Sequence, residues 1–497
     1  MSTSYDLIVI GGGINGTGVA RDAAGRGLSV LLAEKGDLAE GTSSRSGKLV
    51  HGGLRYLEHY EFRLVREALI EREVLLHAAP HIVWPLRFVL PHSPEQRPVW
   101  MIRLGLFLYD HLGGRKRLPG TRKLDLHHAP AGAPVRESFR TAFEYSDCWV
   151  DDVRLVVLNA VDAASRGAVV RTRTEAVSAH RVGGLWQVEL RSPDGNTETV
   201  GGRALVNAAG PWVTRVLNRV TGSKARKSVR LVKGSHIVVR KFWQGEQAYL
   251  LQNDDKRVIF VNPYEGDLCL IGTTDISFEG AAEDVTIDAA ERSYLLRAVN
   301  RYMRHQLGAT DIVHEFSGVR PLYDDAAANP SAVTRDYVFD VEAPAGAAPL
   351  LSVFGGKITT YRKLAEHAME KLAPFFPALG PAWTERATLP GGDMLGADFA
   401  AFESALGNDY PFLPASLRHH YARLYGTRAR LLLEEKRSLD ALGRHYGANF
   451  YEAEADFLRR TEWAMTPEDI LFRRTKHHLH LSAREEAAAA DQLARAA

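Results

Sequence analysis

The chain has very little cysteine, two residues in 497, Cys148 and Cys269. Two cysteines cannot build a disulfide framework, and neither stands in a C-x-x-C or zinc-ligand spacing, so both read as core residues of a reducing compartment. There is no excess of charge of one sign, with 62 Lys and Arg against 60 Asp and Glu. That balance removes the broad positive field a nucleic-acid-binding module needs, and no basic stretch is interleaved with aromatics. No apolar run approaches the roughly 18 residues of a bilayer span. Met1 to Asp6 lead straight into a strand pattern without a basic region and cleavable apolar segment, so no secretory signal is expected. Repeats of fixed period are absent too. What remains is a globular protein that, at 497 residues and 45% hydrophobic, should divide into two or three domains with separate cores.

Glycine, by contrast, is placed with purpose. Leu7-Ile8-Val9-Ile10 runs into Gly11-x-Gly13-x-x-Gly16 and then Gly18-Val19-Ala20, a strand, a glycine turn and a helix. Gly11 permits the tight turn, Gly13 lets backbone approach a pyrophosphate, and Gly16 allows close helix–strand packing, so phosphates meet the helix N-terminus where free N–H groups favour anions. A second strand, Ser29 to Ala33, ends in Glu34, at the spacing where a carboxylate meets an adenosine ribose. Related turns recur near 207–212 and 354–360. Three such turns converging on one ligand fit an extended flavin adenine dinucleotide better than a dissociable nicotinamide.

Between these turns the pattern changes. A helical stretch ends near Ala78, and residues near 80–145, rich in Pro, Arg and His, read as an excursion from the nucleotide domain. Strand patterns return at 168–174, 185–191 and 204–207. Short alternating segments at 235–239, 248–251, 258–261 and 268–272 predict an antiparallel sheet, followed by helical spacing over 288–307. Leu350 to Phe354 is a strand leading through the last glycine turn to a helix ending near Leu372. Beyond Pro390 the Ala, Leu, Arg and Glu content predicts a helical C-terminal domain.

Over nearly its whole length the chain resembles the FAD-dependent glycerol-3-phosphate dehydrogenases of the D-amino-acid-oxidase-like flavoprotein superfamily. The most specific stretches are Thr42 to Leu57, Phe143 to Asp152, Lys233 to His236, Gly272 to Asp275, Ser317 to Leu322, Thr334 to Tyr337 and Phe354 to Lys363. The resemblance implies an α/β fold with a Rossmann-like FAD-binding domain, an antiparallel-sheet substrate (cap) domain and a C-terminal helical domain. The FAD-dependent region would take 1–388, with FAD-binding parts about 1–78, 146–228 and 318–388 and substrate parts about 79–145 and 229–317; the C-terminal domain would take 389–497. It implies oxidation of sn-glycerol 3-phosphate to dihydroxyacetone phosphate, with electrons passing to a membrane quinone or, as the alternative, to dioxygen. Such a protein would be cytoplasmic and attached peripherally to the inner face of the cell membrane, and the sequence allows a homodimer.

Site residues follow motif by motif. FAD would be held by Gly11, Gly13, Gly16, Glu34, Thr42, Ser43, Ser44, Gly210, Gly355, Gly356 and Thr359. Arg55, Arg320 and Arg335 are the arginines of the resembling motifs, and a planar guanidinium suits a phosphate dianion, although structural ion pairing is the plainer alternative. A secondary alcohol needs a base titrating near neutrality. His51 and His236 are the two candidates, His51 ranked first. Lys357 would stabilise developing negative charge. Tyr56 is either a second donor to the substrate or an amphipathic wall residue. Relatives commonly carry a smaller residue where this chain has Arg45 and a small hydroxyl residue where it has Gly47. Lys476-His477-His478-Leu479-His480 fits no compact ligand set and reads as a solvated helix face; no metal is expected. The apolar segment Val99 to Tyr109, with Arg97 before it and Arg115-Lys116-Arg117 after it, is either a buried helix or an interfacial one with Trp100 and Tyr109 at headgroup depth. Arg473 to Lys476 offers a second place for membrane attachment.

Overall fold

In the computed structural model, which describes residues 3–255, 257–324 and 336–495, the chain builds two sheets and a helical C-terminal domain. The first sheet runs in the order Val338–Glu342, Leu350–Phe354, Thr197–Asn207, Ser4–Ile10, Val30–Ala33, Val169–Arg171. From Leu350–Phe354 onward its neighbours are parallel. A parallel sheet is covered on both faces, which is why Leu7, Ile8 and Val9 are all buried rather than alternating. Helices Ile14–Gly25, Asp152–Ser165 and Tyr361–Leu372 pack together on one of these faces.

The second sheet runs Ile276–Ser277, Val229–Arg240, Leu268–Gly272, Val258–Tyr264, Ala248–Gln252, Val83–His92, Thr141–Val150, Leu49–Val50, with Ile312–Tyr323 joined to Val229–Arg240. It is antiparallel except where Ala248–Gln252 lies parallel to Val83–His92. The boundaries drawn near 146 and 318 therefore cut through strands of this sheet, because Thr141–Val150 and Ile312–Tyr323 run unbroken from one region into the other. On one face, Ile237, Val239, Ile259 and Val261 pack under helix Ala289–Tyr302. The opposite face turns His236 and Phe260 towards the nucleotide domain, beside helices Phe62–Ala78 and Val99–Leu112.

Helices Phe399–Asp409, Ala415–Tyr425, Glu452–Glu462 and Ala483–Arg495 close round Leu406, Tyr421, Phe457 and Leu458. Buried ion pairs fasten this domain to the first. Glu462 receives Arg154 and Arg428, Asp37 receives Arg473 and Arg474, and Lys476 reaches Asp151 at 2.5 Å. This overturns two readings of the 473–480 stretch. Arg474, Lys476 and His477 are buried, so the stretch is neither a solvated helix face nor a membrane-attachment patch. His477 Nε2 lies 3.3 Å from Glu454, whose other oxygen meets His420 Nε2 at 2.8 Å and the Tyr425 hydroxyl at 2.6 Å. Three donors thus satisfy one buried carboxylate, and burial pushes the His477 imidazole down to about 4.

Candidate functional site

The cofactor cleft starts at the first glycine turn. Gly11 has φ of +112°, a conformation open to glycine, and a Cβ on Gly16 would stand 1.9 Å from the Gly11 carbonyl, so these two glycines make the turn and the helix contact. Helix Ile14–Gly25 has no side-chain cap from its N-cap residue, Gly13, and no acid in its first turn. The Ile14 N–H instead donates to Ser43 Oγ at 3.0 Å. Glu34 accepts from the Gly12 and Gly36 N–H groups at 2.6 and 2.8 Å, which fixes the loop, while burial raises its pKa.

From here a cavity of about 620 Å³ follows the carboxyl ends of the parallel strands. Its walls include Gly11, Gly13, Glu34, Thr42, Ser43, Gly210, Gly355 and Gly356. The three turns separated by hundreds of residues do converge. Three expected cofactor residues stand off the wall: Gly16 packs the helix, Ser44 donates to the Gly41 carbonyl at 3.3 Å, and Thr359 is buried, accepting the His51 N–H at 3.3 Å.

Lys357, next after Gly356, carries its Nζ 4.1 Å from the centre of the Tyr56 ring. His51 lies near it: burial lowers the imidazole pKa, Asp147 pulls it up, and Lys357 and Arg72 push it down again. Facing them across the second sheet is a row of directly paired residues, Phe316, His236, Gly272 and Phe260. The His236 ring stacks on Phe316 at 4.8 Å, and Phe260 meets His51 edge-on at 6.1 Å. Gly272 leaves the row open, since a Cβ there would come within 2.1 Å of the His236 ring. Burial, with Arg320 and Lys48 nearby, keeps His236 neutral well below its usual range. Arg320 donates to Thr273 Oγ1 at 3.0 Å and pairs with Asp275 at 3.2 Å. Arg55 is half-buried with no ion pair among the described residues. Arg335 lies outside the described residues.

One group escaped the sequence reading. Asp147, buried in the second sheet, accepts from Arg72 at 2.6 Å and from the Tyr109 hydroxyl at 2.8 Å, and that hydroxyl in turn accepts the Gly52 N–H at 2.7 Å. The network clamps the turn that follows His51. Its one signal was its place in the resembling stretch Phe143 to Asp152, where Asp147 stands between Ser146 and Cys148. Tyr109 is therefore tied down at 2% exposure and does not stand at headgroup depth.

The description "FAD dependent oxidoreductase" matches residues 6–362, and "C-terminal domain of alpha-glycerophosphate oxidase" matches 382–496. The chain is 64% identical to a D-erythritol 1-phosphate dehydrogenase of Brucella abortus, covering 97% of this chain and 96% of the relative. It is 55% identical to a glycerol-3-phosphate dehydrogenase of Pseudomonas aeruginosa, covering 96% and 93%. The chain belongs to the FAD-dependent oxidoreductase family, in the branch of the glycerol-3-phosphate dehydrogenases. A solved glycerol-3-phosphate dehydrogenase of Bacillus halodurans, complexed with FAD, superposes with a TM-score of 0.75 at 26% identity over 99% of this chain and 94% of its own. FAD is the cofactor, and the cleft suits it: a glycine-lined helix N-terminus for the pyrophosphate, the fixed Glu34 carboxylate, and the Gly355–Gly356 turn, which Asn15 holds with a hydrogen bond to the Gly355 carbonyl at 3.1 Å.

Proposed function

We propose that this chain oxidises a secondary hydroxyl of a small polyol phosphate to the ketone, with sn-glycerol 3-phosphate as substrate. The reading rests on one observation: Lys357, Tyr56 and His51 gather next to the Gly355–Gly356 turn of the cofactor cleft, and Phe260, which meets His51, belongs to the strand row that carries His236 beside Arg320. FAD, when bound, supplies the hydride acceptor. His51, neutral and held by Thr359 and the Asp147 network, takes the hydroxyl proton. Lys357 stabilises the alkoxide, Tyr56 donates beside it, and Arg55, Arg320 and Arg335 hold the phosphate. D-Erythritol 1-phosphate is a second reading, favoured by the 64% identical relative named for it. Anaerobic titration with each compound tests both, and failure of both to bleach the flavin would sink the reaction class. Since a charge-assisted phosphate contact contributes about 1.5 to 3 kcal/mol, Arg320→Ala should lower kcat/KM at least tenfold while flavin content stays near wild type. Equal kinetics would take Arg320 out of the phosphate site.

We also propose a membrane quinone as electron acceptor. No helix among the described residues is long and apolar enough to cross a membrane. Helix Val99–Leu112 nevertheless exposes Trp100 (64%), Leu104 (51%) and Phe107 (57%) on one side. Exposed Arg103 lies on the same helix, and exposed Lys116 and Arg117 follow it in the chain. Such a face suits docking on an anionic bilayer, where quinones dissolve. Leu106 points inward at 2% exposure, so the informative variant is Leu104→Ser with Phe107→Ser. The pair should abolish sedimentation with anionic liposomes at low salt without loss of FAD. Undiminished liposome binding would move the docking surface elsewhere. Rapid peroxide formation in air, with no reduction of a quinone analogue, would make the protein an oxidase instead.

A further inference from the structure

Glycines around the substrate region are mostly there because nothing larger fits. A Cβ would come within 2.5 Å of Leu69 from Gly52, 2.2 Å of Tyr56 from Gly53, 2.5 Å of Thr273 from Gly234 and 2.1 Å of His236 from Gly272. Gly47 is different. Its backbone is not left-handed, and a Cβ there would meet one atom within 4 Å, His236 Nε2 at 3.7 Å. That is ordinary van der Waals separation, so neither the turn nor the packing demands glycine.

The groups around Gly47 are held firmly. Ser46 Oγ donates to Asp152 at 2.7 Å and Lys48 Nζ to the same carboxylate at 2.9 Å, so both neighbours of Gly47 are anchored to a buried acid. Arg45 is drawn aside, its guanidinium donating to the Ser317 carbonyl at 3.0 Å. His236 is locked against Phe316, and its buried Nδ1 has no hydrogen-bond partner among the described residues. The result is a carbon-sized recess ending on an imidazole nitrogen.

We infer that Gly47 sets substrate length: the recess takes the additional CHOH unit of a four-carbon polyol phosphate, whose hydroxyl hydrogen-bonds His236 Nε2. The inference rests on the polyol-phosphate reading and names a narrower class within it. A serine at this position would occupy the recess and bring its own hydroxyl within reach of Nε2, leaving a three-carbon site. His236 is then a recognition residue, consistent with proton removal at His51.

The test compares D-erythritol 1-phosphate with sn-glycerol 3-phosphate on wild type, Gly47→Ser and Gly47→Ala holoenzymes. Two quantities are read: kcat/KM for each compound, and its Kd by calorimetry on dithionite-reduced enzyme, which cannot turn over. Wild type should turn over both compounds, the four-carbon one with its extra unit in the recess. Gly47→Ser should lower the four-to-three-carbon ratio of kcat/KM at least tenfold, roughly what one misfitted carbon costs, with a parallel loss of four-carbon binding. Gly47→Ala, which adds only a methyl group, should move the ratio the same way and answers the question if the serine variant loses flavin. A ratio unchanged in both variants overturns the inference. So does a displaced flavin spectrum with intact selectivity, which would put the recess against the cofactor. If neither compound bleaches wild-type flavin, it is the polyol-phosphate reading that fails.

Discussion

Glu462→Gln should destabilise the protein by about 3 to 5 kcal/mol, the range for stripping the partner from a buried charge. Glu462 is fully buried between Arg154, on the helix that backs the FAD-binding sheet, and Arg428 in the C-terminal domain. Gln keeps the shape and leaves two guanidinium groups without a counter-charge. Burial alone would raise this carboxyl, but Arg154 and Arg428 hold it at about 2, below its ordinary 4.5. Its stabilisation is therefore complete above about pH 4.5 and fades as pH falls towards 2, a component of acid sensitivity that Glu462→Gln lacks. Urea denaturation followed by fluorescence reads the effect. Glu468→Gln is the control, because that side chain is 67% exposed while pairing with Arg473 at 2.7 Å. Arg473 keeps Asp37 and Asp469 in that variant, so losing its pair with the exposed Glu468 should shift stability by no more than about 1 kcal/mol. Coincident midpoints for the two variants would show that the buried cluster does not hold the domains together.

How far the sequence carried the fold depends on how local each signal was. Strands Leu185–Arg191, Leu268–Gly272 and Leu350–Phe354 fall where alternation and apolar runs placed them, because each is short and bounded by turn residues. The glycine turns were legible from their spacing between a strand and a helix, although Gly11 closes against Ala208 and Gly356 against Asn15, both far away in sequence. Val83–His92 and Thr141–Val150 were passed over inside the 80–145 excursion. The Pro-rich composition argued against a strand there, yet Val83–His92 has a second neighbour only around Phe88 and Val89, so at Pro85 and Pro91 one side of the strand makes no ladder. Helix Val99–Leu112 is apolar nearly all round, which hid the fact that Leu106 and Tyr109 face inward and Leu104 and Phe107 outward. The 473–480 stretch was misjudged because Arg473, Arg474 and Lys476 are buried by pairing with Asp37 and Asp151, hundreds of positions away, and His477 by Glu454 within the domain core. Within the site, the glycines, His51, Tyr56, Lys357, His236 and Arg320 could be named one by one from their motifs. The Asp147 clamp could not, since it acts through the backbone of Gly52 rather than on a ligand.

His51→Asn should slow anaerobic flavin reduction by about 10² to 10⁴-fold, the usual contribution of a positioned base, and by more than His236→Asn does. Asn keeps hydrogen-bonding capacity but cannot take up the hydroxyl proton. His51 is the better placed of the two: its N–H is held by Thr359, the next residue's N–H by Tyr109, and Lys357 stands close enough to lower its proton affinity. A base must be neutral to act. Burial, Lys357 and Arg72 outweigh Asp147 and keep His51 below its ordinary 6.5, so the acid limb of the wild-type rate profile should fall below pH 6.5. Rate should be lost as pH drops through that limb. In His51→Asn the limb should vanish along with the rate. Tyr109→Phe leaves every charge in place and removes only the hydroxyl that links Asp147 to the Gly52 N–H, so it should slow reduction while the limb stays near its wild-type position. A larger loss in His236→Asn than in His51→Asn, with the acid limb surviving only in the latter, would transfer the proton to His236 and leave the Gly47 recess without its recognition partner.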